Sequence, residues 1–231
     1  MIRATVEYSV KFQAPVLPGS GHGVAGVDRA AARTMAGPGL RVPYIPGSHL
    51  RGVVREKVEH LARLVLGDDA VKTIAHVEDQ AMRPDLDDPV ARLFVSGGRQ
   101  GLVVFRDLLP SRNDRESGGD SGDALGKVAV RARVSIDRRT GTQRGQRLFD
   151  HETWHPAGRL AGRVDAWLEN EDTARFDLAL LVGGLRLVDA LGANRSAGLG
   201  ACRVDIDKVL IDGEEVDCEA LLEELGGRAD R

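Results

Sequence analysis

PYIPGSHLRGVVREKVEHLARL, residues 43–64, decides how this chain is read. A Pro-Gly turn runs into a serine, and a helix starts there. Leu50, Val53, Val54, Val58, Leu61 and Val65 recur at helical spacing and form one apolar stripe. Ser48 is the expected N-cap. Arg51 and Arg55 fall in the first turns, where a cation opposes the helix macrodipole unless an anion is nearby. Helix N-termini hold phosphates through their unpaired backbone N–H groups. The segment therefore reads as a phosphate-binding helix start, with Gly47, Ser48, His49, Arg51 and Arg55 as candidate contacts.

The flanks give the fold class. Residues 2–12, IRATVEYSVKF, alternate apolar and polar side chains as a strand does. A long Gly/Ala-rich loop follows over residues 13–44 and carries Asp28; long ordered loops in compact domains tend to be functional. Residues 67–90 are polar and irregular, with Pro84 and Pro89 as breakers. GLVVFRDLLP, 101–110, reads as a second strand, and SRNDRESGGDSGD, 111–123, as a flexible solvated loop. KVAVRARVSID, 127–137, alternates again; 138–158 is a basic, turn-rich excursion; 159–169 is another strand. An apolar helix over 172–190, a glycine-rich loop over 191–200, a last strand over 201–211 and a short acidic helix over 217–225 complete the chain. If 127–137 and 159–169 flank the excursion as one extended hairpin, the order is close to βαββαβ. That is a single α+β domain, residues 1–231, with a ferredoxin-like core and loop insertions.

Composition narrows the function. Hydrophobic residues make up 42% of the 231, enough for a packed core, but aromatics are only 4%. A surface that stacks bases on many rings is therefore not expected. The formal charge of −3 means that any nucleic-acid contact must come from a local basic patch. Cys202 and Cys218 fit no zinc spacing and no disulfide framework, which suggests a reducing compartment. With no signal peptide and no apolar run of membrane length, a cytoplasmic protein without membrane contact is expected. His151 and His155 give the one HxxxH spacing, but Pro156 and the turn-rich surroundings argue against a helix there, so no zinc is expected. In the loop 191–200, Gly192, Asn194, Arg195, Ser196 and Gly198 suit close backbone approach to phosphates.

Four segments together resemble the RAMP superfamily of CRISPR effector proteins: IPGSHLRGVVRE at 45–56, RLFVSGGRQGLVVFRDL at 92–108, VSIDRRTGTQRGQRLFDHE at 134–152 and LGANRSAGLGACRV at 191–204. They occur in family order; Val95 stands where the family usually has a glycine. The subgroup most similar is the repeated backbone subunit of type III complexes. That resemblance implies a right-hand-like subunit that binds guide RNA and stacks into a filament with copies of itself or related RAMP subunits, alongside other effector subunits. It implies that residues 134–158 form a thumb-like insertion, with Arg138 and Arg139 as RNA contacts. It implies that Asp28, in GVAGVDRAAA, is the catalytic and metal-binding residue. Paired target RNA would then be cut by in-line 2′-OH attack with Mg²⁺ or Mn²⁺ as cofactor. The alternative is a non-catalytic RAMP backbone or capping subunit that only binds guide RNA.

Overall fold

The computed structural model describes residues 1–19, 27–37, 40–71, 88–94, 103–110, 125–169 and 171–229. Strand β1 (Ile2–Phe12) buries Ala4, Val6, Tyr8 and Val10, as its alternation requires. It runs in the middle of an antiparallel sheet. On one side it pairs with β8 (Leu160–Leu168), in register from Ile2↔Leu168 to Val10↔Leu160. On the other it pairs with β9 (Cys202–Ile211). The far edge of β8 carries the short strands β4 (Val103–Phe105) and β5 (Leu109–Pro110), and β10 (Glu214–Glu215) lies outside β9. The core order β9-β1-β8-β4, with one helix after β1 and one after β8, is ferredoxin-like.

Helix α1 (Gly47–Leu66) buries Leu50, Val53, Val54, Val58 and Ala62, with Leu61 and Val65 packed at the margin. Helix α3 (Glu171–Arg186) is buried from Phe176 to Leu185. The two helices meet closely at Gly184, where a Cβ would overlap the Val58 side chain. Helix α4 (Cys218–Ala229) closes the layer through Leu221. The opposite face of the sheet is polar. There Asp165 is buried and takes hydrogen bonds from Arg163, Arg106 and Thr5 at 2.7, 3.2 and 3.2 Å. Burial pushes its carboxyl up, but these donors outweigh it and hold the pKa below the usual value.

Several elements differ from the expected ones. The excursion over 138–158 is itself a strand, β7 (Gln143–His155), and it pairs with β6 (Lys127–Ile136). The projecting hairpin is thus β6–β7, starting at Lys127, whereas 159–169 supplies core strand β8. The outer part of the ribbon is exposed, with neighbours Leu148 and Phe149 both open, while its base buries His151, Thr153 and Trp154, so no regular alternation marks β7 in the sequence. The loop 13–44 contains a hairpin of its own, β2 (Arg33–Gly37) with β3 (Leu40–Pro43). Pro89 opens a helix, α2 (Pro89–Phe94), rather than breaking one; the Asp88 carboxylate caps it, accepting 2.8 Å from Val90 N–H. The strand expected over 101–110 is interrupted because Leu108 leaves the sheet to exchange backbone hydrogen bonds with Ile45, just before α1. Residues 111–123 and Val95 lie outside the described residues. No described helix is long and apolar enough to cross a membrane.

Candidate nucleic-acid interface

The interruption at Leu108 shapes the start of α1. Residues 105–107 press against it so closely that a Cβ at Gly47 would overlap the Phe105 carbonyl oxygen. Asp107 Oδ1 accepts 2.8 Å from Gly47 N–H. Ser48 therefore does not cap the helix: it is the second helical residue, it is exposed, and the N-cap position is Pro46. The expected anion at this N-terminus is supplied by the chain itself. The two arginines also have internal partners. Arg51 donates to the Phe94 carbonyl oxygen and lies over the Phe94 ring at 5.9 Å, fixing the end of α2. Arg55 Nε pairs with Glu59 Oε1 at 2.8 Å.

His49 points to the glycine-rich loop, where its Nε2 accepts 2.8 Å from Gly192 N–H. Burial and the Arg195 charge lower its pKa, so the ring is neutral and its proton sits on Nδ1. Gly192 has φ +90°, and a Cβ there would come within 2.7 Å of the Leu17 carbonyl oxygen. The loop spends its glycine N–H groups internally. Gly198 donates to Arg195 O at 3.0 Å and Gly200 to Pro15 O at 2.9 Å, while Leu191 donates to Gly200 O at 2.9 Å. The N–H groups of Gly192, Gly198 and Gly200 are engaged because the loop closes on itself, on His49 and on residues 15–17. What it presents outward is Arg195 and Ser196, beside Asn194 in the left-handed conformation at φ 59°. Arg195 lies 3.8 Å from Glu56.

Asp28 is exposed and lies beside the base of the hairpin, its Oδ2 accepting 2.8 Å from Asp150 N–H. Its segment is laced to β7: Arg29 N–H donates to Asp150 O at 3.2 Å and Glu152 N–H to Arg29 O at 2.9 Å. Glu152 also accepts 2.9 Å from Ala31 N–H and pairs with Arg33. Next on β7, His151 is buried, and its Nδ1 lies 3.2 Å from Asn194 Nδ2, an amide that can only donate. Burial, Arg29 and Arg133 lower the His151 pKa, against the opposite pull of Asp28 and Asp150. Asp28, the hairpin base, the glycine-rich loop and the start of α1 are thus joined in one line. The sequence marks His151 only through its HxxxH spacing with His155 and does not mark Glu152, because the partners of both, Asn194 and Arg33, are distant in the chain. His155 is on the same strand but exposed.

Arg138 and Arg139 sit exposed in the hairpin turn, where Asp137 Oδ1 accepts 2.8 Å from Arg139 N–H. The side chains of Arg144 and Arg147 lie outside the described residues. Asp28 and Asp150 are the carboxylates beside His151 here; among the described residues no group of three His, Cys, Asp or Glu side chains could hold a divalent ion.

A ferredoxin-like α+β core, elaborated by a basic hairpin and a glycine-rich loop that meet at one site, defines the class of this protein. The RAMP superfamily model matches residues 10–203. The chain belongs to that superfamily, and membership points to a CRISPR-associated RNA-binding subunit. No curated protein matches the chain.

Proposed function

We propose that this protein is a backbone subunit of a type III CRISPR ribonucleoprotein that binds guide RNA and cuts paired target RNA. The observation that carries the proposal is the set of three hydrogen bonds, Asp150 to Asp28, Asn194 to His151 and Gly192 to His49, which adjoining residues of β7 and of the glycine-rich loop connect into one line. It gathers at one place the carboxylate and three of the segments on which family resemblance rests. Within it the roles divide. Gly47, His49, Arg51 and Gly192 hold the platform. Ser48, Arg138, Arg139, Arg195 and Ser196 face solvent and are the residues offered to guide RNA, with Asn194 and Gly198 shaping the loop and Arg55 at the helix surface.

In the cutting step the 2′-oxygen of one nucleotide attacks the adjacent phosphorus and the 5′-oxygen leaves. The products carry 2′,3′-cyclic phosphate and 5′-OH ends. Asp28 is the group that holds Mg²⁺ or Mn²⁺, or accepts the 2′-OH proton. A bound ion supplies charge neutralisation at the phosphate. With one carboxylate, much of the rate comes from orienting the sugar for in-line attack, the task of the hairpin. A second reading is a non-cutting backbone or capping subunit. It is favoured by the bond that Asp28 already makes to Asp150 N–H.

The test is reconstitution with guide RNA, copies of this subunit and its neighbouring effector subunits. Regularly spaced cuts, each abolished by a deoxyribonucleotide at that position alone, support the cutting reading. Stable assembly on guide and target with no cuts in Mg²⁺ or Mn²⁺ supports the second.

A further inference from the structure

On the open face of the sheet, arginines end on carboxylates: Arg106 and Arg163 on Asp165, Arg159 and Arg203 on Asp205. At the hairpin base the arginines differ, and two of them, Arg29 and Arg133, act on His151. Arg29 bridges to His151 through its backbone, and Arg133 is diagonal to His151 on the same face of the ribbon, two pairs beyond Arg131↔His151. Neither guanidinium makes an ion pair or a hydrogen bond with a described residue. Arg29 is exposed and Arg133 half-buried, so both are open to a ligand. We propose that Arg29 and Arg133 form an RNA phosphate-binding site at the base of the hairpin, beside Asp28. This rests on the RNA-binding reading above and names its cationic subsite.

Arg29, from the segment bridged to His151, and Arg133, from the paired strand, both place their charge on one imidazole. Asn194 donates to Nδ1 and so fixes the neutral tautomer, which spares the site a third positive charge. The acids alongside are Asp28, whose Oδ2 is engaged by Asp150 N–H, and Asp150 itself. A phosphodiester entering here meets two forked donors that need no ion pair broken first, which distinguishes them from the arginines of the sheet. The phosphate could come from the guide or from the target strand.

The test uses Arg29→Gln and Arg133→Gln, singly and together, with Arg203→Gln as a control that makes the same charge change on the sheet face. Binding of short single-stranded RNA is measured with the purified subunit, and binding of target RNA with the guide-loaded complex. Each hairpin-base variant is expected to lose about tenfold in affinity, the loss of one charge-assisted contact. The slope of log affinity against log salt should shrink by about 0.7 for each arginine removed. Loss with short RNA assigns the site to guide; loss confined to the complex assigns it to target. Unmeasurable binding by the unmutated protein in both arms, unchanged binding by the double variant, or an equal loss with Arg203→Gln would overturn the site. Full cutting by an Asp28→Ala complex would reject the role of Asp28 and leave the binding result standing.

Discussion

The backbone N–H of Gly192 donates to Nε2 of His49 at 2.8 Å, tying the glycine-rich loop to the first turn of α1. The two residues are 143 positions apart in the chain. The bond requires an unprotonated Nε2, and burial together with Arg195 keeps it so.

A pH dependence follows from that bond. The folded pKa of His49 is lowered, so the unfolded chain binds the extra proton more readily. The contribution is complete above the unfolded pKa, about 6.5, and is lost as pH falls below it towards the folded value. His151 titrates in the same sense and remains in any His49 variant. Urea unfolding should therefore show a larger loss of stability on acidification for the unmutated protein than for His49→Gln. An equal loss in both would show that His49 does not titrate between the two states.

The glycines of the loop differ in what they avoid. A Cβ added to Gly198 (φ +81°) would meet no atom within 4 Å, whereas a Cβ on Gly200 (φ +76°) would overlap the Leu191 carbonyl oxygen. Gly198→Ala should cost only the left-handed backbone penalty, about 1–2 kcal/mol. Gly200→Ala should cost clearly more, because backbone must move. Equal unfolding free energies for the two would contradict this packing.

Arg51 and Arg55 should separate in stability. Arg51→Ala removes the bond to Phe94 and the ring contact, a loss of about 1–2 kcal/mol. Arg55→Ala removes an i,i+4 pair on the helix surface, about 0.3–0.5 kcal/mol after solvent screening. Thermal melts of the two variants decide it; a smaller drop for Arg51→Ala would mean that α2 is not held through this side chain.

The core strands and α1 are legible because each writes one buried face into the sequence: Ala4, Val6, Tyr8 and Val10 for β1, and the Leu50–Val58 stripe for α1. Strand β7 is not, because its outer part is exposed on both sides and its base buries neighbours of both faces, Thr153 and Trp154, so no alternation runs through Gln143–His155. Pro89 is ambiguous in sequence, since proline breaks a helix interior yet suits its first position. Ser48 draws the cap assignment because the true partner of Gly47, Asp107, lies 60 residues away. Asp28, Asn194 and His49 are visible as single residues in marked segments. Their junction is not, because it runs through His151 and Asp150, and Asp150 is 122 residues from Asp28.

The most direct measurement is target-RNA cutting by a reconstituted guide-loaded complex carrying Asp28→Ala in every copy of this subunit, compared with the unmutated complex in Mg²⁺. A group that acts on the metal or the 2′-OH stabilises the transition state and adds little to ground-state affinity. The expected result is loss of the regularly spaced cuts, with 2′,3′-cyclic phosphate ends found in the unmutated reaction alone and target affinity nearly unchanged. Cutting by the Asp28→Ala complex at the unmutated rate, with the same ends, would contradict it.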